Sequence, residues 1–126
     1  MELTSKGKPE IKWLEEPEAH DYAAARSYLA LVGMSFGYSD KLPDCPVRTF
    51  KAKDIIRAAG YPLLGETNYH VKKDLDKIKA GKSISPLLLV ADPTLHRLVI
   101  ADGYHRACAC YHYDEDSDVC AKLVNY

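Results

Sequence analysis

The stretch that most limits what this chain can become is Ser85–Tyr113, SPLLLVADPTLHRLVIADGYHRACACYHY. Leu87-Leu88-Leu89-Val90-Ala91 is an apolar run that begins after Pro86 and ends at Asp92-Pro93, a strong turn signal. Leu98-Val99-Ile100-Ala101 follows, rich enough in β-branched residues to pair with the first run as a hairpin. Asp102-Gly103-Tyr104-His105-Arg106 then interrupts the apolar pattern, and Ala107-Cys108-Ala109-Cys110-Tyr111 resumes it at helical composition. Gly103 admits a backbone conformation or a close approach that a Cβ would forbid. A helix opening here aims backbone N–H groups and a positive dipole end at whatever sits above the strand. In its first turn His105 is a proton-handling ring and Arg106 a bidentate anion clamp. The expectation is an anion-binding bend in which Asp102, Gly103, Tyr104 and Arg106 hold a phosphate. The competing reading makes Asp102 a helix cap, His105 a surface residue and Arg106 a partner for the acids of 114–118.

The pattern of strand, Asp102-Gly103-Tyr104-His105-Arg106 and helix, preceded by helix, strand and turn, resembles the ParB/sulfiredoxin-like superfamily over about residues 50–124. Its members include sulfiredoxins, the nucleotide-binding domain of ParB partition proteins and ADP-dependent free serine kinases. The resemblance implies an α/β (α+β) fold: a small mixed β-sheet flanked by helices, here with an added N-terminal helix. It implies a bound nucleotide such as ATP or ADP, with Mg²⁺. In the serine kinases the loop facing the bend supplies an acidic catalytic residue; the matching acid here is Glu66, with His70 the next candidate. Two activities fit poorly. Sulfiredoxins carry a cysteine immediately before the His-Arg pair, where this chain has Tyr104. ParB proteins usually carry Glu-Arg-Arg in place of Tyr104-His105-Arg106, and a helix-turn-helix domain for which no room is expected here.

A chain of 126 residues fits a single domain with a real core, divided into an N-terminal extension at 1–47 and a core at 48–126. The net charge of −1 supplies no general basic field of the kind that drives non-specific DNA binding. No apolar run approaches a membrane span and the N-terminus lacks a signal-peptide core, so the expected location is cytoplasmic. Cys45, Cys108, Cys110 and Cys120 lack zinc-site spacing and read as free thiols. No metal ligand set is assigned.

Along the chain, residues 1–12 read as a loosely held polar lead. Glu15-Glu16-Pro17-Glu18 reads as a helix start, and 17–32 as a helix with Tyr22, Ala25, Leu29 and Val32 on one stripe. His20 and Asp21 read as a solvated helix end. Glycines, prolines and Asp/Ser make 35–47 a long loop, either a lid or a segment pinned by Phe36, Tyr38 and Leu42. Short strand 48–51 leads to a helix over 52–59, stopped by Gly60. Thr67 or Asn68 caps a helix over 69–80 whose apolar side includes Val71, Leu75 and Ile78; the resemblance implies that the loop before it faces the bend, with Asn68 and His70 among the ligand-binding residues. Gly81-Lys82-Ser83 looks like the tail of a phosphate loop but follows a helix, so it reads as a turn. Residues 114–118 read as a charged turn before a final edge strand, 119–124.

Two functions from different classes follow. One is a nucleotide-dependent phosphoryl-transfer or hydrolytic enzyme, a kinase, phosphohydrolase or nuclease, with Glu66 or His105 moving the proton. The other is a non-catalytic module that binds a nucleotide or phosphorylated small molecule and engages a protein partner through the N-terminal helix.

Overall fold

The computed structural model describes residues 3–4, 6–94 and 96–125. Met1, Glu2 and Ser5, part of the stretch expected to be loosely held, lie outside the described residues. The fold is mixed α+β: a four-stranded mixed sheet with helices on both faces. In chain order the elements are α1 (Ala19–Leu31), α2 (Phe36–Lys41), β1 (Val47–Lys51), α3 (Ala52–Ala59), α4 (Tyr69–Lys79), β2 (Leu87–Asp92), β3 (Arg97–Asp102), α5 (Tyr104–Tyr113) and β4 (Asp118–Val124). Among the described residues, no helix is long and apolar enough to cross a membrane.

The apolar run of β2 is continuous because both of its faces are covered. Leu87 and Leu89 point into a core with Ile55, Val71, Leu75, Ile78, Ile100 and Val119, made by α3, α4 and α5 against the sheet. Leu88 and Val90 point the other way, to Ala25, Leu29 and Leu42. The period of two that sends alternate side chains to opposite faces thus divides one strand between two cores. β2 and β3 form the expected antiparallel hairpin, with Leu89 opposite Ile100 and an irregularity in register between Leu88 and Leu89. The N-terminal helix is the lid of the second core.

Three expectations need correcting. The C-terminal strand is not at an edge: the sheet order is β1-β4-β2-β3, with β4 antiparallel to β1 and parallel to β2. The positive charge on this strand, Lys122, does not face water. The side chain of Lys122 is in fact buried, with Nζ donating to the Pro43 carbonyl at 2.8 Å, 3.2 Å from Glu16 Oε1 and over the Tyr22 ring. Second, 35–47 is largely ordered as α2 and a 3-10 turn over Leu42–Asp44. Ser35 caps α2 by accepting the Gly37 N–H, Arg26 lies over the Phe36 ring, and fully buried Leu42 pins the segment. Third, the stripe on α1 stops short of Val32, which is exposed, and buried Asp21 joins Ala25 and Leu29 instead.

A strand hydrogen-bonded on both sides opens only when the sheet does. Native-state hydrogen exchange should therefore find the amides of β4 among the slowest in the chain and those of edge strand β1 faster. Rapid exchange across Val119–Leu123 would contradict the central placement.

Candidate functional site

The bend forms where β3 gives way to α5. Gly103 has φ 107°, ψ 21° and stands as the N-cap of α5; its carbonyl accepts the Ala107 N–H at 2.8 Å. The left-handed conformation suits glycine, and space adds a second requirement. A Cβ placed there would lie 2.8 Å from Leu87 Cγ and 3.0 Å from Arg106 Nη2. Arg106 folds back under the bend: Nη2 donates to Asp102 Oδ2 at 2.9 Å and reaches the Pro86 carbonyl at 3.4 Å. Both side chains are largely buried, and the Arg106 Nε has no hydrogen-bond partner. Arg106 is therefore not the open clamp expected from its position, nor a partner of the acids at 114–118. It is half of an internal ion pair, and the residue also lines the cavity described next. Asp102 likewise does not cap α5, since the cap is Gly103.

The facing wall is α4. Asn68 caps it, its Oδ1 accepting the N–H groups of His70 and Val71. With that end fixed, His70, Lys73, Asp74 and Lys77 follow at i, i+3, i+4 and i+7 and share one side of the helix. Between α4 and the bend lies a polar cavity of about 200 Å³, lined by these four residues and by Asp102, Gly103, Tyr104, His105 and Arg106. Larger hollows of about 560 and 720 Å³ lie along the N-terminal segment. In the first of these Lys51 is already paired with Asp118, and Asp116 with Lys53.

Charge in the cavity is mixed and tightly spaced. Burial pushes the Asp74 carboxyl above its usual range, against the pull of Arg106, Lys77, His105 and Lys73. Asp102 is raised too, first by burial; Arg106 opposes the rise, and the Asp21 carboxyl, within hydrogen-bonding reach, adds to it. Asp21 thus does more than end a helix. It is buried on α1, accepts the Glu18 N–H at 2.9 Å and stands behind the bend. His105 is held below the ordinary imidazole range by burial and by neighbouring His70, with Asp74 opposing. The His70 and His105 rings have centroids 4.9 Å apart.

The structure brings His70, Asp102, Gly103, Tyr104, His105 and Arg106 to one cavity. It does not bring Glu66 or Asn68 there: Glu66 sits exposed on the preceding turn, and Asn68 is occupied in capping α4. The Tyr104 hydroxyl donates to the Pro62 carbonyl, so it is the ring of Tyr104 that is left to serve the site. Lys73, Asp74 and Lys77 were missed because α4 was read only for its apolar side. The signal was there, as the opposite stripe from His70 to Lys77. The cysteines lie outside the cavity: Cys108 and Cys110 are buried free thiols, both pushed up by burial. A further cluster, Glu18, His20 and Asp21, has potential ligand atoms within 4.8 Å of one another, but the capping box of α1 accounts for Glu18 and Asp21. Comparison with family models, with curated proteins and with solved structures finds no match for this chain.

Two substitutions test this geometry. Gly103→Ala should cost about 2–4 kcal/mol, from the left-handed backbone and the collision with Leu87 together; a denaturant melt within 0.5 kcal/mol of wild type (roughly the level of a neutral surface change) would refute it. Asp74→Asn should do the opposite. Because folding raises the Asp74 pKa, the folded chain binds that proton more readily than the unfolded one, and the ionised carboxylate costs stability at neutral pH. The variant should melt higher than wild type at pH 7. Its advantage should shrink as pH falls through the raised pKa and vanish below the ordinary value of 3.8.

Proposed function

We propose that this chain binds the phosphate of a nucleotide or other phosphorylated small molecule in the cavity between α4 and the β3–α5 bend. One observation carries the reading: Lys73, Lys77 and Arg106, with the imidazoles of His70 and His105, converge on a polar hollow at the N-terminus of α5 that Asp74 and Asp102 also line. Cations and a helix N-terminus around one small space are the chemistry of oxyanion recognition. A hollow of about 200 Å³ suits a phosphoryl group. The ParB/sulfiredoxin-like resemblance of Asp102–Arg106 belongs to the same proposal and is supported by the same strand-end placement.

Within that reading the residues divide the work. Lys73 and Lys77 attract and neutralise the anion. Gly103 lets the first turn of α5 come close to it. Arg106, held by Asp102, adds fixed positive charge without having to be ordered on binding. His105, kept neutral by burial and by His70, is the group suited to accept a proton in phosphoryl transfer or hydrolysis. Were Mg²⁺ to accompany the phosphate, Asp74 would be the lining carboxylate to hold it, since such ions take one or two carboxylates. Asp102 is committed to Arg106. The acid designated by the resemblance, Glu66, is not a lining residue, so it takes no part in this site.

The test is a thermal-shift screen of nucleotides and phosphorylated metabolites with and without Mg²⁺, followed by calorimetry on variants. Arg106→Ala is a poor first variant because it leaves the largely buried Asp102 without its partner. Lys73→Ala and Lys77→Ala change exposed side chains. The double variant should keep the wild-type melting temperature within a degree or two, roughly what a surface change allows, and weaken phosphate affinity by about tenfold or more. Absence of stabilisation by any phosphate compound, or undiminished affinity in the double variant, would overturn the proposal.

A further inference from the structure

The cavity is too small for a whole nucleotide. At about 200 Å³ it falls below the range of about 300–1,000 Å³ in which small-molecule pockets enclose their ligands. Whatever phosphate enters it must leave the rest of its molecule on the rim. That rim is made of rings. Tyr69, His70, His105, Tyr104 and Tyr61 form an unbroken series, with successive centroids 5.3, 4.9, 5.6 and 5.1 Å apart.

The two ends of the series differ. Tyr104 and Tyr61 are held by the protein, the first through Pro62 and the second through Tyr28. Tyr69 is 72% exposed, at the first position of α4, edge-on to a histidine that lines the cavity. Such a ring beside a polar hollow that holds Lys73, Lys77 and Arg106 is a stacking surface whose one ring contact among the described residues is with His70. Lys73 lies one helical turn along from it, on the cavity wall.

Resting on the phosphate-binding reading above, we infer that the ligand is a nucleoside phosphate whose phosphate lies among Lys73, Lys77 and Arg106 and whose base stacks on Tyr69 at the rim. The order is fixed by chemistry: the charged end goes to the cations, and the planar ring goes to the one exposed tyrosine of the series. Stacking uses the π-face that every base has, so this subsite accepts purines and pyrimidines alike. Selection is then for the presence of a base rather than for its identity.

Calorimetry with four probes decides it: inorganic phosphate, ribose 5-phosphate, AMP and UMP. The wild-type chain should bind AMP and UMP about tenfold or more tightly than ribose 5-phosphate, which carries the same phosphate and sugar without a base. Tyr69→Ala should erase that difference while leaving inorganic phosphate and ribose 5-phosphate unchanged. Tyr69→Phe should retain it, because the ring does the work. Exposure of Tyr69 means the Ala variant should fold, which an unchanged melting temperature checks. If ribose 5-phosphate binds as well as AMP, or if Tyr69→Ala leaves the nucleotide preference intact, the base subsite is refuted and the phosphate site survives. If inorganic phosphate and all three esters fail to bind wild type, the phosphate reading falls and this inference with it.

Discussion

Everything near the candidate site depends on one close approach, that of the backbone at Gly103 to the Leu87 side chain and the Arg106 guanidinium. The space is so tight that a single methyl group would collide with both. Three elements meet there. Leu87 opens β2, Gly103 joins β3 to α5, and Arg106 closes back onto Asp102 at the end of β3. Hydrophobic packing and a largely buried ion pair therefore meet on opposite sides of one residue. Such a pair adds little net stability by itself, since desolvation offsets most of the attraction. Its value is geometric: it fixes where the first turn of α5 begins, and with it where His105 and Tyr104 point.

The sheet around this joint is covered on both faces by different parts of the chain. The extension bearing α1 and α2 closes one side, while α3, α4 and α5 close the other. Asp21 connects the two arrangements, because it is buried on α1 and lies within reach of Asp102 at the bend. The N-terminal helix is thus a structural half of the molecule that also touches the back of the site. The same economy appears at Lys122, where an ammonium group closes a core by finding a carbonyl, a carboxylate and a ring together.

Much of the fold was legible in the sequence where local chemistry decided it. The extent of α3, the start of α4 at an Asn68 cap, the hairpin of β2 and β3, and α5 over 104–113 all follow from apolar period, turn residues and caps. What the sequence hid was non-local. The place of β4 depends on partners far along the chain. The short α2 was hidden by glycine and serine, yet a Ser35 cap and buried Leu42 are enough to order it. At the site, the bend itself was visible because five special residues interrupt an apolar pattern. The facing wall was not, since Lys73, Asp74 and Lys77 look like any solvated helix side until α5 packs beside them. Glu66 was named from resemblance alone, and the turn that carries it leaves it in solvent.

The central position of β4 bears on how the molecule is made. It is the last element in the chain, yet it lies between β1 and β2, which do not touch each other without it. During synthesis β1, α3 and α4 leave the ribosome with no sheet to join, and the β2–β3 hairpin follows as a separate piece. Neither piece can complete its core until the final strand arrives to pair with both. Nascent chains of this kind must wait, with apolar surface uncovered, until β4 itself has been made and is free to pair. Loss of β4 would therefore leave two unfinished halves rather than a trimmed domain.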